Sequence, residues 1–242
     1  MARILQILML VLPQLAMAET INFDFGDQGL FTSKVVQLIA MFTVLSLAPS
    51  ILVMATSFTR IVVVFSFLRT SLGLQQSPPN AVLISLALFL TGFIMAPVLE
   101  QAYINGVEPL MEERTTEQEA FPKIVAPFRE FMTKQTRDKD AQLFVDIAGI
   151  PPEKVSHDGL PLHIIVPSFM ISELRRAFEI GFLVFVPFLI IDMLVASILM
   201  AMGMMMLPPV TISLPFKIIF FVLIDGWYMI CGSLVKSYGM VG

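Results

Sequence analysis

Four long apolar blocks dominate this chain and limit the folds that it can adopt. A helix of about 20 apolar residues is long enough to cross the hydrocarbon core of a bilayer, and each block is close to that length or longer. The first two blocks contain no charged residue, and each of the others contains two. The blocks are residues 35–55, 81–99, 179–207 and 214–235. They predict an all-α, helical membrane-associated protein.

The composition agrees with burial in something other than water. Of the 242 residues, 57% are hydrophobic and 14% are charged, whereas soluble domains carry about 25% charged residues. The net charge is −4 and no basic stripe occurs, which argues against a nucleic-acid partner. P-loop, zinc-protease and nucleophile-elbow motifs are absent from the sequence, so we expect no enzyme and no cofactor.

Three side chains that often carry chemistry lack suitable neighbours in the sequence. His157 and His163 lie in a Pro/Gly-rich stretch without metal-ligand spacing. Cys231, the only cysteine, lies among apolar residues. We therefore expect no metal site, and we interpret Cys231 as a small buried hydrophobic residue.

The first 18 residues have the layout of a secretory signal peptide. An apolar core follows the early charge of Arg3, and the tripeptide AMA ends at Ala18, immediately before Glu19. Cleavage between Ala18 and Glu19 would leave the mature N-terminus outside the cytoplasm, at a bacterial inner membrane. A membrane-anchoring first helix is the alternative, which Pro13 disfavours because it interrupts an already short run. Residues 56–80 contain Arg60 and Arg69 but no acid, which predicts that this segment faces the cytoplasm.

Residues 100–176 carry most of the charge and form a polar segment between the apolar blocks. Apolar residues at helical spacing predict a first helix here, which Pro127 interrupts or kinks. A second short helix is predicted to begin at a cap residue, Asp138, and to end at Gly149. The residues that recur at helical spacing in the first helix are Phe121, Ile124, Val125, Phe128, Phe131 and Met132. In the second helix, Leu143, Phe144 and Ile147 are predicted to face inward.

Glycine and proline punctuate the chain in the same way at two points. GLQQSPP begins at Gly73 and GMMMLPP begins at Gly203, with the same spacing from the glycine to the proline pair. Glycine commonly ends a helix and proline commonly begins one, so we predict two helical hairpins with tips that point the same way. The turn prolines are Pro78, Pro79, Pro208 and Pro209. The predicted organisation is a signal peptide (1–18), an N-terminal helical hairpin (19–99), a polar periplasmic-side helical insert (100–176) and a C-terminal hairpin with a methionine-rich loop (177–242).

Charged residues within apolar blocks are costly, so they usually pair or line a water-filled path. Asp192 and Lys217 flank the second turn at about 21 Å and about 12 Å of helix, which allows them to meet across the hairpin. We predict a structural ion pair, within one subunit or between neighbours. A proton or ion relay is the alternative.

A charged collar precedes the third apolar block. Ser168 is predicted to cap a helix in which Glu173 pairs with Arg176 and Arg175 pairs with Glu179. The four charged residues suit an interface between the subunits of a ring, where oppositely charged edges meet.

Five short strings carry the most specific signal in the chain. PSFMISELRRAFEIGF spans residues 167–182 and RIVVVFSFLR spans residues 60–69. SPPN lies at residues 77–80, PFLIID at 187–192 and LPPVTISLPFK at 207–217. From about residue 38 to the C-terminus, the chain resembles the FliP/SctR family, the export-gate core of flagellar and injectisome type III secretion. The signal peptide favours a flagellar member.

The resemblance implies a protein that is not an enzyme and that works in an assembly. Several copies are expected to form a pentamer-like helical ring with FliQ/SctS-like and FliR/SctT-like proteins and other export-apparatus membrane proteins. Unfolded flagellar substrates would pass through the ring. Membrane lipid would contact the outside of the assembly. The resemblance also implies that apolar helices can be buried against other subunits above the bilayer. The expected location is the inner membrane, in the flagellar basal body, with much of the protein on the periplasmic side.

The second turn has an unusual run of methionines. Methionine is unbranched and polarizable, so it fills irregular gaps without a fixed shape. Met204, Met205 and Met206, repeated around a ring, are predicted to seal a pore and to part for a polypeptide, and the resemblance supports that role. A methionine-rich core turn is the alternative for the loop. For the whole chain, the alternatives are an ion- or proton-conducting channel or transporter subunit and a purely structural scaffold.

Overall fold

The computed structural model describes residues 28–150, 160–204 and 206–239. The chain divides into two compact units, residues 1–48 and residues 49–242. Helix α1, Gln28–Met54, supplies the described part of the first unit and extends into the second. The other helices are α2 Phe58–Ser71, α3 Asn80–Ala102, a π-helix Tyr103–Val107, α4 Glu108–Met111, α5 Glu117–Gln135, α6 Asp138–Ala148, α7 Leu162–Ala201, α8 Pro209–Leu223 and α9 Gly226–Lys236. The described residues contain no strand, which confirms the all-α prediction.

Helix α2 forms the centre of the second unit. Its Ile61, Val64 and Phe65 side chains are fully buried, in a cluster that includes residues of α3 and α7. Gly181 of α7 permits the close approach of α2, because a Cβ atom there would lie 2.5 Å from the ring of Phe67. Burial of apolar area is the main favourable term in folding, so the apolar residues of α2 hold the unit together.

Two of the described helices are long and apolar enough to cross a membrane. One runs from Asn80 to Met111 and the other from Leu162 to Ala201, a third span being possible if α8 and α9 count together. The axes of α8 and α9 differ by 61°, so the fourth apolar block is bent rather than straight. These lengths fit a membrane location.

Helix α7 contains the end of the predicted polar insert and the start of the predicted C-terminal hairpin. It continues unbroken for 40 residues, so the predicted boundary at residue 176 falls inside it. Ser168 does not cap a helix, because it lies within α7 and its hydroxyl donates to the Ile164 carbonyl at 2.7 Å. Helix α7 instead begins after Pro161.

The helices of the polar segment differ in detail from the prediction. Helix α5 continues through Pro127. Gly149, at φ 65°, follows the last residue of α6 as predicted, but the cap position at the start belongs to Arg137 and not to Asp138. Phe144 packs inward, whereas Leu143 and Ile147 are exposed. The prediction for those two residues is wrong because Ala141 and Val145, one turn apart on another face, are the buried positions of α6.

Candidate functional site

The two glycine turns end their helices with the same backbone hydrogen bonds. Gly73 and Gly203 have φ values of 78° and 76°, a left-handed conformation that favours glycine. After α2, the Leu74 amide donates to the Arg69 carbonyl, and after α7 the Met204 amide donates to the Leu199 carbonyl. Both are Schellman endings. The prediction that both glycines end helices is confirmed.

The prolines follow each turn at the start of the next helix. Pro79 immediately precedes α3, and Pro209 is the first residue of α8. Pro78 and Pro208 stand one residue earlier in each case. Proline suits these positions because the first amides of a helix have no intrahelical acceptor.

The two turns lie at the same end of the second unit. A Cβ atom on Gly73 would lie 3.8 Å from Leu214 and 4.0 Å from Val210, in the first turns of α8. The Lys217 ammonium donates to the Ser71 carbonyl at 3.1 Å. The first turn therefore supports the base of the methionine loop, which we define as residues 204–206.

Two residues of the methionine loop, Met204 and Met206, are described, and they lie between α7 and α8. Met204 is 39% exposed and Met206 is 98% exposed. Met205 lies outside the described residues. The two described side chains are thus placed to contact something beyond the chain, and neither belongs to its buried core.

Asp192 and Lys217 meet below this loop, within one chain. Lys217 Nζ lies 2.6 Å from Asp192 Oδ2, and the Ser213 hydroxyl donates to Asp192 Oδ1 at 2.5 Å. The lysine side chain is 3% exposed and the aspartate side chain 25%. Because the Ser71 carbonyl belongs to the last turn of α2, the ammonium also lies where the helix dipole favours a cation. This geometry joins α2, α7 and α8.

The charged collar does not form as one surface feature. Arg175 and Glu179 do pair, at 2.8 Å, and both are exposed. Arg176 donates to the Gln135 side chain of α5 at 2.7 Å. Glu173 is fully buried and bonds to Arg60. The predicted pairing of Glu173 with Arg176 is wrong, because Glu173 is bonded to Arg60 of α2 and Arg176 donates to Gln135 instead.

The Arg60–Glu173 pair was missed by the sequence analysis. Both residues are fully buried, with Arg60 Nε at 2.9 Å from Glu173 Oε2 and a second bond from Nη2 to Oε1. Arg60, one of the two arginines that suggested a cytoplasmic side for residues 56–80, is thus neutralised inside the protein by this pair. The available signal was a lone arginine in an apolar helix, which predicts a buried acidic partner.

A third polar contact fastens the α5–α6 segment to α7. Asp140 Oδ2 accepts from the Ser172 hydroxyl at 2.6 Å and from Arg137 Nε at 2.9 Å. Burial opposes ionisation of Asp140, but the hydrogen bond from Ser172 and the neighbouring Arg137 outweigh it, so the pKa of this carboxyl is lowered below its ordinary value. The contact is therefore strongest when Asp140 is ionised.

The signal-cleavage residues, the two histidines and Cys231 do not form a binding or metal site among the residues that the structure describes. Ala18, Glu19 and His157 lie outside the described residues, and His163 lies in the first turn of α7. Within the described part of the chain, no group of three or more His, Cys, Asp or Glu side chains is arranged to hold a metal ion. Cys231 is partly buried in α9.

A protein-family model matches the part of the chain that contains the two turns and the Asp192–Lys217 pair. The model of the FliP family matches residues 41–234. The chain belongs to the FliP family. Both turns, the methionine loop and the Asp192–Lys217 pair lie inside the matched region.

Relatives from three bacteria extend the match over most of the chain. It is 55% identical to the flagellar biosynthetic protein FliP of Caulobacter vibrioides over 229 residues, 94% of this chain and 86% of the relative. It is 50% identical to the flagellar biosynthetic protein FliP of Agrobacterium fabrum over 234 residues, which are 95% of this chain and 96% of the relative. It is 53% identical to the protein of the same name from Bacillus subtilis over 222 residues, which are 92% of this chain and 100% of the relative.

Proposed function

We propose that this chain is a core component of the type III secretion export gate of the bacterial flagellum. It would form, with partner subunits, the channel through which unfolded flagellar proteins are exported. The observation that carries the proposal is the exposure of Met204 and Met206 between the two apolar helices α7 and α8. Membership of a family whose named relatives are flagellar biosynthetic proteins supports it.

Large apolar side chains on the outside of α3, α7 and α8 support an assembled state. Phe89 and Leu223 are each 79% exposed, and Leu183 is 69% exposed. A soluble monomer rarely leaves extended apolar faces uncovered. We infer that other copies of the chain, FliQ/SctS-like and FliR/SctT-like companions and lipid cover them, in a ring at the inner membrane with α5 and α6 on the periplasmic side.

The seal would depend on side-chain mobility rather than on hydrogen bonds. A ring of loops presents unbranched side chains with many rotamers to one another, so water and ions are excluded while the surface yields to a polypeptide. The Asp192–Lys217 pair would hold the base of the loop. In that arrangement the pair is structural, and the carboxylate is engaged by Ser213 and Lys217 rather than placed in an ion path.

The rival function, conduction of ions or protons, gains no support from the placement of the buried charges. Glu173 and Asp192 lie 19 residues apart on α7, or about 28 Å of helix. Each is closed off by its own cationic partner. A conducting path needs polar groups at short intervals, and these two pairs do not form one.

The experiment replaces Met204, Met205 and Met206 with alanine. The assembled gate should become permeable to small ions, because each subunit loses bulk at the seal. The matched control replaces three exposed helical methionines, Met111, Met193 and Met229, and should leave the gate tight. The measurement is ion conductance of the purified assembly, beside its yield and the secretion of a filament-type substrate by cells.

A second variant separates volume from softness. Leucine at all three positions keeps the bulk but has a branched side chain with fewer accessible rotamers, so the gate should stay tight to ions and export more slowly. An alanine variant that assembles and is as ion-tight as the parent would refute the seal, and the methionines would then be packing residues.

A further inference from the structure

The buried Arg60–Glu173 pair is completed by Ser237 and Tyr238, which follow α9. The Tyr238 hydroxyl donates to Glu173 Oε2 at 2.5 Å, and Arg60 Nη1 donates to the Ser237 hydroxyl at 3.0 Å. The guanidinium carbon of Arg60 lies 3.8 Å from the centre of the Tyr238 ring. Ser237 and Tyr238 thus bond to both members of a fully buried ion pair.

The surroundings of Tyr238 favour the protonated hydroxyl, which donates to Glu173. Its side chain is 8% exposed, and its ring stacks on Phe131 of α5 with centroids 5.9 Å apart. Burial and the Glu173 carboxylate raise the pKa of the phenol well above its ordinary value. The hydroxyl therefore keeps its proton and remains a donor to Glu173.

The segment that leads to Tyr238 bends once, between α8 and α9. Asp225, between α8 and α9, has φ 52° and ψ 53°, a left-handed conformation that costs about 1–2 kcal/mol for a non-glycine residue. Gly226 follows, and a Cβ atom there would lie 2.1 Å from the Phe221 ring. We call α8, α9 and residues 237–238 the C-terminal arm.

Polar contacts hold this arm at two places. Lys217 holds α8 near the methionine loop through a flexible side chain that reaches Asp192 and Ser71. Tyr238 holds the far end through a rigid ring and a short hydrogen bond. The contacts between these points are mainly apolar, such as those of Trp227 with Phe65 and Phe221, and apolar contacts have no directional requirement. Tyr238 therefore supplies the directional contact at the far end of the arm.

We propose that Tyr238 is a positioning residue for the methionine loop. By locking the end of the C-terminal arm into the Arg60–Glu173 pair, it fixes the position of α8 and hence of the loop from which α8 begins. The inference rests on the proposed function of that loop as a seal, but the hold of Tyr238 on α9 does not depend on it.

The test removes one hydroxyl group. Tyr238→Phe keeps the ring over Arg60 and against Phe131 and deletes the hydroxyl, which donates to Glu173 at 2.5 Å and lies 3.4 Å from the Ser57 carbonyl. Tyr228→Phe is the matched control, because Tyr228 lies on α9 but is 77% exposed. Both variants are made in the full chain, co-expressed with its companions, and the assembled complex is purified.

Cys231 provides a built-in probe of the arm. It is the only cysteine of the chain, and it packs on the cluster around α2 from the middle of α9. Loss of a hydrogen bond to a charged group weakens the hold by roughly tenfold or more. Labelling of Cys231 by a small maleimide should therefore be about tenfold faster in Tyr238→Phe than in the parent, and unchanged in Tyr228→Phe.

Ion conductance then tests the link to the loop. The Tyr238→Phe assembly should form at parental yield and leak ions, whereas the Tyr228→Phe assembly should stay tight. Unchanged Cys231 labelling would overturn the lock. Faster labelling with an ion-tight gate would overturn the link between arm and loop, provided that the triple-alanine loop variant leaks.

Other outcomes are also decisive. If the triple-alanine loop variant does not leak, the seal is refuted, while Cys231 labelling still decides whether Tyr238 holds the arm. If Tyr238→Phe fails to assemble, Cys231 labelling is compared in the purified, unassembled chains of the parent and of the variant. Equal rates there would show that the Tyr238 hydroxyl does not hold the arm and would overturn the proposal.

Discussion

Asp192→Ala and Lys217→Ala remove opposite halves of one ion pair, and the structure predicts unequal costs. Without Asp192, the Lys217 ammonium is still only 3% exposed, and it keeps its hydrogen bond to the Ser71 carbonyl but has no counter-charge. An unpaired buried charge costs about 3–5 kcal/mol. Without Lys217, the Asp192 carboxylate is still 25% exposed and still accepts from Ser213. The loss should then be about 1–3 kcal/mol, the cost of one bond to a charged group.

The assay is thermal unfolding of the purified chain in detergent, followed by the fluorescence of Trp227. This residue is the only tryptophan, and its ring packs against Phe65 and Phe221. A change of 1 kcal/mol shifts Tm by about 2–4 °C for a chain of this size. We expect a fall of about 6–20 °C for Asp192→Ala and about 2–12 °C for Lys217→Ala.

Two further variants constrain the interpretation. The double alanine variant should be more stable than Asp192→Ala alone, because it leaves no charge buried without a partner. Arg175→Ala breaks an exposed ion pair of similar length and should cost about 0–1 kcal/mol. The reasoning fails if Lys217→Ala costs as much as Asp192→Ala, since burial would then not control the loss.

The structure also predicts the outcome of exchanging the charges of Asp192 and Lys217. Restoring an ion pair by Asp192→Lys with Lys217→Asp would be expected to recover some function. The exchanged carboxylate, however, would face the Ser71 carbonyl at the end of α2, where the helix dipole disfavours an anion. Recovery of secretion should therefore be small.

Three other predictions concern processing, assembly and pH. The mature protein should begin at Glu19 on N-terminal sequencing, and an intact Met1 in the assembled complex would contradict cleavage. Arg175→Glu should lower the yield of the ring more than the amount of chain in the membrane, because Arg175 is exposed and its reversal leaves the interior unchanged; equal losses would count against an interface. Because the pKa of Asp140 is lowered, its contribution to stability is present above its ordinary pKa and is lost as the pH falls through its folded value. Asp140→Asn should thus be less stable than the parent at neutral pH and lose less on acidification, as unfolding at several pH values would measure.

Local sequence signals predicted those features that local chemistry controls. Gly73 and Gly203 end their helices as expected, because only a residue that tolerates positive φ can close a Schellman turn cheaply. Asp192 and Lys217 were paired correctly, since one short turn joins their helices and helical rise fixes how far each lies from it. The all-α class followed from the lengths of the apolar blocks.

The Arg60–Glu173 pair illustrates what such signals cannot reach. Its members lie 113 residues apart, so no helical spacing relates them, and the local neighbours of Glu173 offered two arginines instead. The choice between an outward collar and a buried pair depends on which face of α7 meets α2, which Gly181 and Phe67 decide through close packing. Tyr238 then joins the pair from 65 residues beyond Glu173. The charge of Glu173 was visible in the sequence, but its partner became visible only when the helices were packed, and that packing turns a surface motif into the anchor of the C-terminal arm.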